Sequence, residues 1–350
     1  MVEQLDCLSR ENWIEQCMNM PNITSLSLNE TKNMIWLKDE GHDLIWEDYD
    51  LYTYKRGCLV KIFKHAAFHD NLEELTLPSL CCKELMKSLN SEFYPKLKKL
   101  TILDSDIQTI VLLYTIENKG SYSSSTLFSG LNQLEYLDIY NISLTLDLSI
   151  IIISSFPRLK ILRATLDNDN SNVLDIFQPI KGLELNLNLI FKNQEHSNTT
   201  LERLVKFQSQ LKHQLVLDIN ILDDFKLQPE LWKMLLNPLR YSINSFRVEN
   251  VIECVDSFPL TRWKEAAQNW INLRKLYLTF DPNYPSFRVE HIRTMKEFSS
   301  LDSIEFHNVQ WPKDNGYYYT TLNANPNQFN SRKLYPHYSF SSSSSSIINK

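Results

Sequence analysis

Glycine is scarce in this chain, with 6 among 350 residues. No G-x-G-x-x-G or G-x-x-x-x-G-K-[ST] run occurs, so the glycine-dependent loops that cradle nucleotide phosphates are missing. Basic excess is missing too: 36 Lys and Arg face 42 Asp and Glu, for a formal net charge of -6. No global positive field is present to hold nucleic acid. Long apolar runs are absent, and the stretch around Ile150 to Ile153 falls far short of a bilayer span. The first ten residues carry Glu3 and Asp6 and no apolar core, which excludes a secretory signal there. The six cysteines, Cys7, Cys17, Cys58, Cys81, Cys82 and Cys254, form no C-x-x-C pair. A long chain without a leader is expected to keep them reduced, in the cytoplasm or nucleus. By the same reasoning the N-x-[ST] matches at Asn22, Asn29, Asn141 and Asn198 are expected to be chance.

What the chain does have is a recurring pattern: an aliphatic residue, two mostly polar residues, an aliphatic, one residue, an aliphatic. It is seen at Ile23-x-x-Leu26-x-Leu28, Leu72-x-x-Leu75-x-Leu77, Leu97-x-x-Leu100-x-Ile102, Leu134-x-x-Leu137-x-Ile139 and Leu159-x-x-Leu162-x-Ala164. A weaker copy is Ile180-x-x-Leu183-x-Leu185. Late copies are Ile243-x-x-Phe246-x-Val248, Leu273-x-x-Leu276-x-Leu278 and Leu301-x-x-Ile304-x-Phe306, and Leu215, Leu217 and Ile219 mark one more. Spacings of 25, 25, 30 and 28 residues recur between well-defined neighbours. A step of 37 after Leu97 contains a Gly/Ser-rich insertion near 119–126, and the step of 49 from Ile23 to Leu72 hides either a further repeat or a large insertion.

Between these strands the apolar spacing turns helical. Helices are expected over 79–93, over 200–212 with Thr200 as N-cap, over 229–239 with Pro229 at the first position, and over 259–271 and 288–298. Pro95 and Pro157 stop the helix before them. A strand plus a helix per unit, stacked about 25 residues apart, predicts a curved α/β solenoid with its parallel sheet inside and helices outside. Residues 1–312 are assigned to this array, with the helix near 11–19 already part of it. Residues 313–350, rich in Tyr, Asn, Pro and Ser and ending near a serine run at 341–346, are assigned to a disordered tail.

The quoted copies resemble leucine-rich-repeat proteins, in particular the irregular arrays of F-box/LRR substrate receptors. The resemblance covers about 23–309. It departs at the ninth position, where Asn or Cys is usual and this chain has Leu80, Ser105, Ile142, Asp167, Asp281 and Val309. No F-box motif is recognisable near the N-terminus. The resemblance implies a scaffold that binds another protein on its concave face, as the substrate-recognition subunit of a ubiquitin ligase with Skp1/cullin-type components. It implies no enzyme activity, no cofactor and no membrane.

The outward strand positions locate the expected partner surface. Its centre is Tyr136, Asp138, Tyr140 and Arg163, flanked by Lys99 and, further along, Arg274, Lys275 and Tyr277. Tyr and Arg are the residue types that dominate protein interfaces. Because outward residues add little to a core, Tyr136 and Arg163 are expected to tolerate alanine without unfolding. Two other functions stay open: an enzyme with its active site in repeat-edge loops, and a nucleic-acid-associated scaffold using Lys98, Lys99, Lys160 and Arg163. The second is opposed by interleaved Glu73, Glu135 and Asp138. His65 and His69, four apart, with Cys58, Cys81 and Cys82 could be metal ligands, and Cys81 or Cys82 a catalytic thiol; packing and surface roles are the expectation.

Overall fold

The computed structural model describes residues 24–29, 34–39, 42–46, 71–77, 94–103, 131–192, 194–209, 214–222, 228–251, 260–280, 297–313 and 316–324. They form an α/β structure around one sheet. Its strands are β1 (Ser25–Asn29), β2 (Met34–Asp39), β3 (His42–Trp46), β4 (Glu74–Leu77), β5 (Lys99–Ile102), β6 (Tyr136–Ser143) and β7 (Ile161–Asp167). They continue as β8 (Glu184–Phe191), β9 (Gln214–Ile221), β10 (Ile243–Val251), β11 (Lys275–Phe280), β12 (Ser303–Lys313) and β13 (Gly316–Ala324). The order across the sheet is β13-β12-β11-β10-β9-β8-β7-β6-β5-β4-β1-β2-β3, with nine successive parallel pairings from β1 to β12.

Alternation makes the strands. In β8, Leu185, Leu187, Leu189 and Phe191 are buried while Glu184, Asn186, Asn188 and Ile190 are half-buried on the other face. β9 repeats this with Leu215, Leu217, Ile219 and Ile221. The described helices are α1 (Leu146–Ser155), α2 (Leu174–Phe177), α3 (Ser197–Ser209), α4 (Pro229–Leu236) and α5 (Leu260–Asn269). A 3-10 segment, Asn168–Val173, precedes α2. Neighbouring helices touch in chain order, and their buried side chains join those of the strands in one core. Leu100, Leu137, Leu162 and Leu276, the predicted core leucines, are all buried.

A turn closes each unit in the same way. Leu97 donates its N–H to the Tyr94 carbonyl, Leu134 to Leu131, Leu159 to Phe156 and Leu273 to Trp270. An apolar residue three before the first leucine is therefore part of the repeat, and Tyr94, Leu131, Phe156, Trp270 and Phe298 are buried there. One carbonyl then accepts two successive N–H groups of the next unit: Glu73 from Lys98 and Lys99, Lys98 from Glu135 and Tyr136, Glu135 from Lys160 and Ile161. At the far end an aromatic group ties α4, β10 and α5 together. Trp232, Phe246, Trp263 and Trp270 lie with ring centroids 4.9 to 6.4 Å apart, and Trp270 Nε1–H donates to the Leu235 carbonyl at 3.0 Å.

Several expectations are corrected. The 49-residue step holds an insertion: β2 and β3 extend the sheet beyond β1 as antiparallel strands, while β4 pairs with β1 on the other side. In the weak copy, Leu185 and not Leu183 lies opposite Leu162, because that unit runs two residues longer between its turn bond, Ile180 N–H to the Phe177 carbonyl, and the paired leucine. Gly182 supplies the turn with φ of 71°, a conformation that Cβ-bearing residues resist. Thr200 is not an N-cap: α3 starts at Ser197, and the buried Thr200 hydroxyl donates to the Asn168 carbonyl at 2.9 Å. Helix α1 was not foreseen; Thr145 caps it by accepting the Leu148 N–H at 3.3 Å. The boundary at 313 falls inside a hairpin, since β13 pairs antiparallel with β12 through Lys313 and Gly316. The Asn-Gly at 315–316 is a hairpin signal, and the Tyr, Thr and Leu that follow favour a strand.

Register also steps along the sheet. Leu26, Leu75, Leu100, Leu137, Leu162, Leu185 and Leu215 form one row. Phe246, Leu276 and Ile304 continue a different row, that of Leu166, Leu189 and Ile219. The two rows are four residues apart on β7, so the same face stays buried because the offset is even. No described helix is long and apolar enough to cross a membrane. The expected helices over 11–19 and 79–93, and the serine run, lie outside the described residues.

Candidate functional site

The sheet face opposite the helices carries the predicted surface. Tyr136 and Asp138 point outward from β6, Arg163 from β7, and Lys99 from β5, next to each other in register: Lys99 opposite Tyr136, Asp138 opposite Arg163. Arg163 Nη1 donates to Asp138 Oδ2 at 2.8 Å, and the Tyr136 hydroxyl donates to the same oxygen at 3.2 Å. Asp138 Oδ1 accepts the Tyr140 N–H at 3.1 Å. The Arg163 guanidinium lies 5.1 Å from the Tyr140 ring centroid, and Lys99 Nζ 5.2 Å from that of Tyr136, both within the range of cation–π attraction.

Tyr140 extends the cluster across the sheet. Its hydroxyl donates to Asp218 Oδ2 on β9 at 2.8 Å, and Asp218 Oδ1 accepts from Asn244 Nδ2 at 2.8 Å. Between them, Thr165 donates to the Tyr140 carbonyl, Asn188 Nδ2 donates to Thr165 Oγ1 at 3.0 Å, and Asn220 donates to Asn188 Oδ1. The result is one hydrogen-bonded band from β6 to β10, which Lys99 of β5 joins through its cation–π contact.

Burial first, and the Asp218 carboxylate second, raise the Tyr140 phenol well above its ordinary pKa. Burial also raises that of Tyr136. For Arg163, burial opposes the charge, but the Tyr136 hydrogen bond and the Asp138 carboxylate outweigh it and hold the guanidinium charged above its usual range. The band therefore presents neutral tyrosines and a charged Arg163 at physiological pH.

The chain matches no protein-family model and no curated protein sequence. The site is therefore argued from its own geometry. Of the predicted residues, Lys99, Tyr136, Asp138, Tyr140 and Arg163 come together. Arg274, Lys275 and Tyr277 do not join them. They sit on or just before β11, beyond β8, β9 and β10 and in a different register row. There Arg247 stacks over Tyr277 at 4.3 Å, and Arg274 faces Asp302 at 3.7 Å and the Ser300 carbonyl at 3.2 Å.

Sequence reading missed Thr165, Asn188, Asp218, Asn220 and Asn244. The signal was present, since Asn188, Asp218 and Asn220 alternate with the buried residues of β8 and β9. Arg163 also has a structural part, because the Asp138 side chain is 12% exposed and Arg163 is its cationic partner. Next to the predicted ninth-position Asp167, it is Asn168 that does the backbone bonding: it is fully buried and its Oδ1 accepts the Lys192 N–H at 3.1 Å.

Along the strand starts, Glu73 pairs with Lys98 at 3.0 Å and Glu135 with Lys160 at 2.8 Å. Acids thus interleave with Lys98 and Lys160 along this edge. His65, His69, Cys58, Cys81 and Cys82 lie outside the described residues. Among the described residues, no group of three or more His, Cys, Asp or Glu is placed to hold a metal.

Proposed function

We propose that this chain is a protein-binding scaffold: a leucine-rich-repeat solenoid that holds its partner on the sheet face opposite the described helices, around Tyr136, Asp138, Tyr140 and Arg163. The observation that carries the reading is the Tyr140–Asp218 hydrogen bond from β6 to β9. Three strand spacings are about 14 Å on a flat sheet. Two side chains standing off a flat surface do not span that gap, so the contact favours a face that curves inward. The repeated turns and nine parallel pairings favour the same architecture. A rigid band of tyrosines, amides and one Arg–Asp pair on such a face is suited to recognition, since its groups are held in place before the partner arrives. The same features argue for binding over catalysis.

The test is affinity capture with quantitative mass spectrometry, comparing the wild type with Tyr136→Ala, Lys99→Ala and, on the helix side, Lys233→Ala. Circular dichroism serves as the folding control. Partners lost with the two face variants and kept with Lys233→Ala are the expected result. Equal recovery by all four proteins overturns the assignment of the face. Recovery of Skp1/cullin-type subunits with the wild type would extend the reading to a ubiquitin-ligase receptor, which rests on the style of the repeats alone.

A further inference from the structure

A second surface lies at the strand-start edge, away from the tyrosine band. A cavity of about 450 Å³ opens between the end of α1, the turn before β7 and the turn before β8. Phe156 and Leu159 are buried at its base, and Ile153 and Ile180 are half-buried beside them. Arg158, Lys160 and Lys181 are exposed around it. None of the described residues that line it is acidic.

The neighbouring charges offset this rim only in part. Lys160 is paired with Glu135, and Arg158 donates to the neutral Gln133 at 2.5 Å. Glu135 itself reports the sign of the field: the Lys160 hydrogen bond first, then Lys160, Lys98 and Arg158 as charges, hold its carboxyl below the usual range. Another cavity, about 340 Å³ between α3 and α4, has Glu202, Glu230 and Lys233 together and favours no sign of ligand.

We infer that the cavity between α1 and the turns before β7 and β8 binds a short acidic segment of a partner protein, with an apolar side chain seated against the half-buried Ile153 and Ile180 and flanking carboxylates on Arg158 and Lys181. Charge complementarity selects the occupant. The half-buried isoleucines suit a hydrophobic anchor, and the exposed cations suit carboxylates. A small molecule is disfavoured because the charged residues stand in solvent, whereas pockets for small ligands bury most of the ligand surface. This surface stands independently of the sheet-face reading, so either can fail alone.

The probe is a fluorescently labelled peptide alternating leucine and glutamate, titrated with the full chain and followed by anisotropy. Its lysine–leucine counterpart and octyl phosphate are separate arms. Binding of the acidic peptide alone is expected, weakening with added salt because the charges are exposed. Arg158→Glu and Lys181→Glu should each weaken it about tenfold or more, since reversal replaces an attraction with a repulsion. Ile153→Ala should weaken it with the secondary structure retained, and Lys233→Glu, at the other cavity, should leave it unchanged. Three results overturn the inference: no binding of the acidic peptide, equal loss with Lys233→Glu and Lys181→Glu, or octyl phosphate binding as tightly as the peptide.

Discussion

Arg163 shows how one outward side chain serves the fold and the surface together. It neutralises the mostly buried Asp138, crosses the ring of Tyr140, and leaves part of its guanidinium in solvent. Arg163→Ala should therefore cost about 1–3 kcal/mol, the penalty of stranding a hydrogen-bonded charged group. Urea denaturation measures it. The Arg163→Ala/Asp138→Ala double mutant should lose less than the two single losses combined, because its second change removes the stranded carboxylate. Strict additivity would show that the pair does not interact. Tyr140 gives a pH signature. Its folded-state pKa is raised above the ordinary phenol value of 10.0. Folding therefore favours the protonated ring, and this contribution is complete below about pH 10 and is lost as pH rises beyond it. Tyr140→Phe should flatten the alkaline decline in stability, measured as unfolding midpoints across that range. An unchanged decline would place the alkaline sensitivity elsewhere, with the buried Tyr94, whose pKa burial also raises, as the next candidate.

The elements depend on turns as much as on strands. Gly182 is in the left-handed region, and a Cβ built there meets nothing within 4 Å. Gly182→Ala should then cost only the backbone strain, about 1–2 kcal/mol, read as a lowered denaturation midpoint; a neutral result would mean that the turn relaxes. The core leucines set a larger scale. Leu100, Leu137, Leu162 and Leu276, each replaced by Ala, should lose about 2–5 kcal/mol, and absence of loss at two of them in thermal melts would contradict the register.

Across the whole molecule, each strand pairs only with its neighbours in the order, and β7 and β11 are separated by three strands. Distant core lesions should thus act independently. The Leu162→Ala and Leu276→Ala losses are expected to add within about 0.5 kcal/mol, whereas the register partners Leu137 and Leu162 should couple. Equilibrium urea unfolding of the two double mutants checks this, and strong coupling between the distant pair would point to a core tied together beyond nearest neighbours.

The recurring leucines and the helical spacing between them determined the α/β class, the buried face of the described repeat strands and most strand positions. An alternating strand pattern admits only one face to the core, whatever its neighbours do. They also placed Tyr136, Asp138 and Arg163 outward and on adjacent strands. Three things were decided only by tertiary structure. The four-residue step between the Leu162 and Leu166 rows separates Tyr277 from Tyr136, and it is invisible in a motif that looks the same in every copy. The β2–β3 strands and β13 extend the sheet beyond the repeat strands by antiparallel pairing, which no repeat motif encodes. The partnership of Tyr140 with Asp218, 78 residues away, exists because the sheet brings their strands close. Sequence supplied a phenol and a carboxylate, and the packing of three strand intervals made them a pair.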